Sequence, residues 1–346
     1  MNLHELPMIL FTVIAQMCVG MFIILGVIEL WLSAKTDDKT SNRLVAPIVY
    51  AIGPAMVFGL IASMFHMNDI TNTFNVIRNV GSSWLSREIV FGVGFAAFGF
   101  LYAIMQWFHV GSRMIRRVIA VVTALLGIGL VISMSMIYSS VVTIPAWNTW
   151  VVPFQFFATA LMLGAAAVAA AIVIVTLIRQ RPNAKEHAPV RVPERATADP
   201  NASSRGWRKT LGFDQNVAHI NARANDTEWA LSVKIVRACA VLAALVAVAV
   251  LISYVVHIQN LAMHPDPAAT SAAAVFSGGF FWMRLVLLGL GAVALGFVAY
   301  RVASTAGLNK SGTLAAVVVS AFVLILIAEF MGRSLHYDSM FLVGIG

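Results

Sequence analysis

A histidine and a glutamate, His66 and Glu88, stand at the facing edges of two long apolar runs, in Ile61-Ala-Ser-Met-Phe-His66 and Ser86-Arg87-Glu88-Ile89. The stretch between them carries Asp69, Phe74, Asn75, Arg78 and Trp84. Histidine titrates near neutrality and can take or give a proton during chemistry. A carboxylate withdrawn from water holds its proton more readily, which suits it to accept one near neutral pH. Either residue alone reads as structural. Two proton-active side chains flanking one loop read as a proton-handling site, because ionisable groups at the edge of a membrane are costly and mark function by default.

The runs that must position this pair are membrane spans. The protein has 346 residues, 60% hydrophobic and only 11% charged, against roughly one-quarter charged in a soluble domain. Eight apolar segments, at 8–32, 45–66, 88–108, 117–139, 151–178, 230–257, 278–300 and 313–332, are each long enough for a hydrocarbon core of about 30 Å. Backbone polar groups in lipid must be satisfied internally, so these are helices. The expected fold is an all-α integral membrane protein of eight transmembrane helices, a single polytopic domain over 1–346, packed as two four-helix bundles. The first run lacks a basic leading segment and is too long for a cleaved signal sequence. Cys18 and Cys239 both fall inside spans and suggest neither a disulfide framework nor a metal site.

Loop charge orients the protein. Lys35, Lys39 and Arg43 follow the first span, Arg113, Arg116 and Arg117 the third, nine Lys or Arg residues lie between Arg179 and Arg223, and Arg301 and Lys310 follow the seventh. The connections 140–150 and 258–277 hold no Lys or Arg. By the positive-inside rule the basic loops face the cytoplasm and both termini lie on the extracytoplasmic side. The net charge of +8 thus belongs to one face; it suits anionic lipid and gives no case for a nucleic-acid partner. His66 and Glu88 then share the outer face with Glu329 and Arg333, four residues apart on one helical face and expected to form a structural ion pair. Arg78 and Arg87 read as loop charge or head-group anchors, and Glu29 as a carboxylate snorkelling to the inner interface.

Haem would require paired histidines at one depth on facing helices. His66 with His257 is the one conceivable pair; His109 lies at the inner end of its span, and His4, His187, His219, His264 and His336 fall in tails or loops. No haem and no metal are expected. The segment 180–228 reads as a cytoplasmic basic linker, rich in Pro, Arg and Ala, with a surface-lying amphipathic helix or a tolerated insertion around Trp207 to Ala222.

At this point the residues resemble a family. His4-Glu-Leu-Pro7 leading into Phe11-Thr-Val-Ile-Ala-Gln16, Ala62-Ser-Met-Phe-His66, Phe74-Asn75 with Val80-Gly81-Ser82, Leu85-Ser-Arg-Glu88-Ile89, Thr143-Ile-Pro145-Ala-Trp147, and Ala328-Glu-Phe-Met-Gly-Arg333 followed by Tyr337 and Val343-Gly344 are similar, in order, to the DmsC-type membrane-anchor subunit of the dimethyl sulfoxide reductase family of molybdenum oxidoreductases. The sequence departs from that pattern in Met67 to Thr73, which lack the family's Gly, Pro and basic residue, and in the long 180–228 segment.

The resemblance implies a haem-free quinol dehydrogenase module in the cytoplasmic (inner) membrane of a bacterium or archaeon. It implies menaquinol as bound substrate. Its partners would be an extracytoplasmic four-cluster iron–sulfur subunit and a molybdopterin catalytic subunit, which hold the clusters and the molybdenum cofactor. On this reading His66 and Glu88 are catalytic, and His66, Phe74, Arg78, Trp84, Arg87 and Glu88 bind the quinol. Proton release passes through Asp69 and Glu88. The alternatives are a polysulfide- or nitrite-reductase-type quinone-reactive anchor, with the same eight-helix plan, and a secondary transporter. A transporter should break its helices at matching positions in two halves, and Pro54 and Pro153 do not match.

Overall fold

The computed structural model describes residues 5–65, 77–108, 110–180 and 222–344. Among them, eight helices are long and apolar enough to cross a membrane. In sequence order the elements are α1 (Leu6–Ser33), α2 (Asp38–Met64), α3 (Trp84–Phe108), α4 (Arg113–Ser139), α5 (Val151–Arg179), α6 (Asp226–Ala262), the short α7 (Pro267–Val275), α8 (Gly279–Thr305) and α9 (Ser311–Asp338). The described residues contain no strand. α8 passes through a π-helical stretch at Ala294–Ala299.

Local chemistry sets the boundaries. Asp37, Ser112 and Asn225 cap α2, α4 and α6, accepting hydrogen bonds from the backbone N–H of Lys39, Ile115 and Glu228 at 3.2, 3.3 and 2.8 Å. Hydrogen bonding, above all from Thr40, holds the exposed Asp37 carboxyl below its usual range. Asn225 also begins an Asn-Asp-Thr glycosylation sequon, and here its side chain is a helix cap. Asp266 and Pro267 start α7, which falls in a connection the sequence read as loop. Gly111, at φ +82°, turns the backbone between α3 and α4.

Helices extend past the apolar runs where polar side chains find partners. α9 continues six residues beyond the expected end at 332, so His336, expected in a tail, lies in its last turn. α3 begins at Trp84, which places Glu88 one turn inside the helix. α6 begins at Asp226 because Glu228 pairs with Arg43 of α2 at 2.7 Å and the Trp229 indole donates to the Ala306 carbonyl at 2.9 Å. The candidate amphipathic stretch from Trp207 lies outside the described residues up to 221.

α1 and α5 lie deepest, with the most enclosed apolar windows of the eight. Their backbones nearly touch. A Cβ on Gly164 would lie 2.5 Å from the Gly20 carbonyl carbon, and one on Gly20 would lie 1.7 Å from the Ala160 oxygen. In lipid, helices associate through such close small-residue crossings because no hydrophobic gain separates one apolar surface from another. Around this axis α2 packs on α1, α3 on α4, α6 on α5, and α8 on α9.

At the basic end of the bundle, Arg43 also donates to the Ala222 and Arg223 carbonyls at 2.8 and 3.1 Å. Arg179 donates to the Arg43 carbonyl at 3.2 Å and Gln180 to the Ala224 carbonyl at 2.9 Å. Glu29 does not snorkel: it accepts hydrogen bonds from the Tyr102 hydroxyl and from Gln106 Nε2 at 3.2 Å. Together with Arg116 and Arg117, Glu29 borders a small polar recess of about 40 Å³.

Candidate functional site

Glu88 occupies the second turn of α3. Residues seven and fourteen positions on, Phe95 and Tyr102, lie on the same face, and both are essentially fully buried. Phe95 packs edge-on against Phe22 of α1 at 5.9 Å. Glu88 is therefore the acidic head of an inward stripe. It lies within electrostatic range of the Tyr138 and Tyr337 hydroxyls. Among the described residues it makes no hydrogen bond or ion pair. Two turns further along α3, α1, α2 and α3 line a shallow apolar groove, bordered among others by Phe22, Ile52, Met56, Phe95 and Phe100.

The neighbouring residues of α3 brace the loop that leads into it. Arg87 donates from Nε to the Val80 carbonyl at 2.8 Å and from a terminal nitrogen to the Gly81 carbonyl at 2.7 Å, and its guanidinium lies 4.1 Å from the centre of the Trp84 ring. Trp84 and Arg87 thus engage each other. Arg78 is exposed in a 3-10 turn, Ile77–Asn79. His66, Asp69 and Phe74 lie outside the described residues, so the expected His66–Glu88 juxtaposition rests on sequence alone.

Beside Glu88, three segments distant in sequence come together. The Tyr138 and Tyr337 hydroxyls hydrogen-bond at 2.9 Å, joining the ends of α4 and α9. The Trp147 indole donates to the His336 carbonyl at 2.8 Å and stacks on the His336 ring at 5.3 Å. The Val343 N–H donates to the Thr143 carbonyl at 2.9 Å. Motifs widely separated in sequence therefore form one polar and aromatic cluster at the end of the bundle opposite the Arg43–Glu228 pair.

A deeper layer carries buried charge. Glu329 does not pair with Arg333. Its carboxylate meets Arg284 of α8 at 3.2 Å and accepts a 2.5 Å hydrogen bond from Thr159 of α5. The reason is Gly332. A Cβ there would lie 2.4 Å from Arg284 Nε, so the absent side chain is the space through which the guanidinium reaches Glu329. Arg333 turns away, donating to Gln16 of α1 at 2.9 Å and lying 3.7 Å over the Phe156 ring. Sequence reasoning passed over Arg284, though a lone arginine inside the apolar run 278–300 was the available signal. His257 packs edge-on against Phe276 at 5.3 Å. No group of three potential metal-ligating side chains occurs among the described residues.

The Arg284–Glu329 pair yields an expected result. Arg284→Ala leaves a buried carboxylate unpaired and should cost about 3–5 kcal/mol, whereas adding Glu329→Gln should recover part of that loss. Thermal unfolding in detergent measures both; equal destabilisation of single and double variants would show that the pair is not coupled.

Residues 1–190 match the family model described as the DMSO reductase anchor subunit (DmsC). That stretch covers α1 to α5. The C subunit of the anaerobic dimethyl sulfoxide reductase of Escherichia coli K12 is 33% identical over 161 residues, 46% of this protein and 55% of that one. The corresponding C subunit of Haemophilus influenzae is 31% identical over 166 residues, 47% and 57% respectively. The YnfH subunit of anaerobic dimethyl sulfoxide reductase, also from E. coli K12, is 30% identical over 161 residues, 46% and 55%. The match spans little more than half the length of these curated relatives. With the family match extending over more than half of its own length, this chain belongs to the DMSO reductase anchor subunit (DmsC) family.

Proposed function

We propose that this protein is the membrane-anchor and quinol-oxidising subunit of a respiratory molybdenum reductase, set in the inner membrane with both termini outside. The observation that carries the reading is Glu88: an acid with no charge partner among the described residues, two turns along α3 from an apolar groove lined by α1, α2 and α3. In this reading menaquinol enters from the lipid with its apolar tail along the groove, and its ring reaches the level of Glu88. His66 hydrogen-bonds one quinol oxygen and accepts or relays its proton. Glu88 accepts a proton and releases it outward, with Asp69 as the next carrier. Oxidation of one quinol to quinone delivers two electrons to an iron–sulfur subunit docked on the outer face and two protons to the water there.

Several features support the arrangement. Arg87 clamps the carbonyls of Val80 and Gly81, which fixes the entry of α3 and hence the height of Glu88. Trp84, Arg78 and Phe74 are assigned to the ring pocket in this reading. Helix contacts are compatible with two four-helix groups, α1–α4 and α5, α6, α8 and α9. The terminal substrate is met by the molybdopterin subunit and leaves no imprint on this protein. The polysulfide- or nitrite-type anchor is the second reading; it shares the helix plan and differs in its partners.

Purification of the intact complex tests the proposal. The protein is expected to bring down an iron–sulfur protein and a molybdopterin protein, and the complex to oxidise a menaquinol analogue without a haem band in its reduced-minus-oxidised spectrum. A stable lone protein that moves solute across vesicles would overturn the reading in favour of a transporter.

A further inference from the structure

α6 has 37 residues, about 55 Å at 1.5 Å per residue, much longer than a hydrocarbon core of about 30 Å. Its uncharged stretch from 238 to 256, between Arg237 and His257, measures about 29 Å by the same rise. That match sets Arg237 and, one turn earlier, Lys234 at the phosphate level of the membrane face carrying the basic loops. The full basic density of that face is not in itself a site. Lys234 and Arg237 differ from loop charges because each borders an apolar groove.

One groove, open to the lipid and of about 560 Å³, runs from Lys234, Arg237 and Tyr300 down Ala238, Val241 and Leu245. A second, of about 520 Å³, lies on the other side of α6 and runs from Lys234 along Ile24, Ile28, Trp31 and Leu242. Lys234, Ala238 and Leu242 border both grooves. Arg237 is held in place before any ligand arrives. A terminal nitrogen donates to the Tyr300 hydroxyl at 2.6 Å, and the guanidinium lies 4.4 Å over the same ring. Its Nε is buried and has no hydrogen-bond partner among the described residues, so the guanidinium's positive charge is not neutralised there. Lys234 is exposed and forms no ion pair among the described residues.

We infer that Lys234 and Arg237 form a binding site for one acidic phospholipid of the cytoplasmic leaflet, its phosphate between the two cations and its acyl tails in the grooves on either side of α6. The chemistry is complementary at both ends: two unneutralised cations face an anionic head group, and the grooves below them are apolar. Basic pockets between transmembrane helices on the cytoplasmic side select anionic head groups in this way. The leaflet assignment rests on the sidedness proposed above; the lipid class rests on the charges and grooves alone.

The test uses the full-length protein in phosphatidylcholine nanodiscs doped with phosphatidylglycerol, with lipids retained after detergent extraction counted by native mass spectrometry. Wild type is expected to retain phosphatidylglycerol in preference to phosphatidylcholine. Retention should fall about fivefold in Lys234→Gln and more than about tenfold in Lys234→Gln with Arg237→Gln. Lys39→Gln, an exposed lysine at the same end of the bundle, should retain as much as wild type. Equal retention of the two lipids by wild type overturns the site, as does undiminished retention by Lys234→Gln or an equal loss in Lys39→Gln. Lys234→Gln changes only an exposed residue, so it decides the question even if the Arg237 variant fails to fold.

Discussion

Glu88→Gln should lower quinol oxidation by about 10²-fold or more while the protein still assembles with its partners. Glutamine keeps the size and the hydrogen-bonding capacity of the side chain but cannot accept a proton, and removing a positioned general base costs about 10²–10⁴ in rate. Structural damage should be small, because within the described residues no ion pair or hydrogen bond depends on the carboxylate. The affected quantity is turnover with a menaquinol analogue, measured beside partner retention on a column. Wild-type turnover in an assembled Glu88→Gln complex would sink the proposed role of the residue. Loss of assembly instead would reassign Glu88 to structure, and Glu88→Asp then separates the two, since it preserves the proton chemistry.

The largest structural effect is expected at the α1–α5 crossing. Gly164→Leu places a branched side chain where even a Cβ meets the Gly20 carbonyl carbon at 2.5 Å. The obstacle is backbone, which cannot rotate aside, so the helices must separate. Overpacking typically costs about 1–3 kcal/mol where side chains adjust, and a clash between backbones belongs above that range. The variant should accumulate as little or no protease-resistant protein in membranes. Gly26→Leu is the control: it lies on α1, the other helix of the crossing, yet nothing stands within 4 Å of where its Cβ would be, so normal accumulation is expected. Comparable loss in both variants would mean that the close crossing is not what limits assembly.

The eight spans were readable because apolar length leaves few options in lipid. Their ends were less so. α9 runs on through His336 because Trp147 and Tyr138, far away in sequence, pack against that turn, and no local pattern announces such partners. Glu329 and Arg333 show the same limit. Their four-residue spacing is correct for an intrahelical pair, but the spacing carries no information about Arg284 arriving from α8 over Gly332. Glu88 was singled out from residue type and position alone, and its role remains the proposal made above. Its relation to Tyr138 and Tyr337 required the fold, which brings the ends of α4 and α9 beside the start of α3.

The deep contacts of α1 also impose an order on biogenesis. α1 precedes both of its deep partners in sequence: the backbone that fits Gly20 belongs to α5, and the Arg333 that donates to Gln16 Oε1 belongs to α9. The contacts of α1 are thus complete only once α9 is in place, and without α9 the Gln16 oxygen lacks its arginine partner.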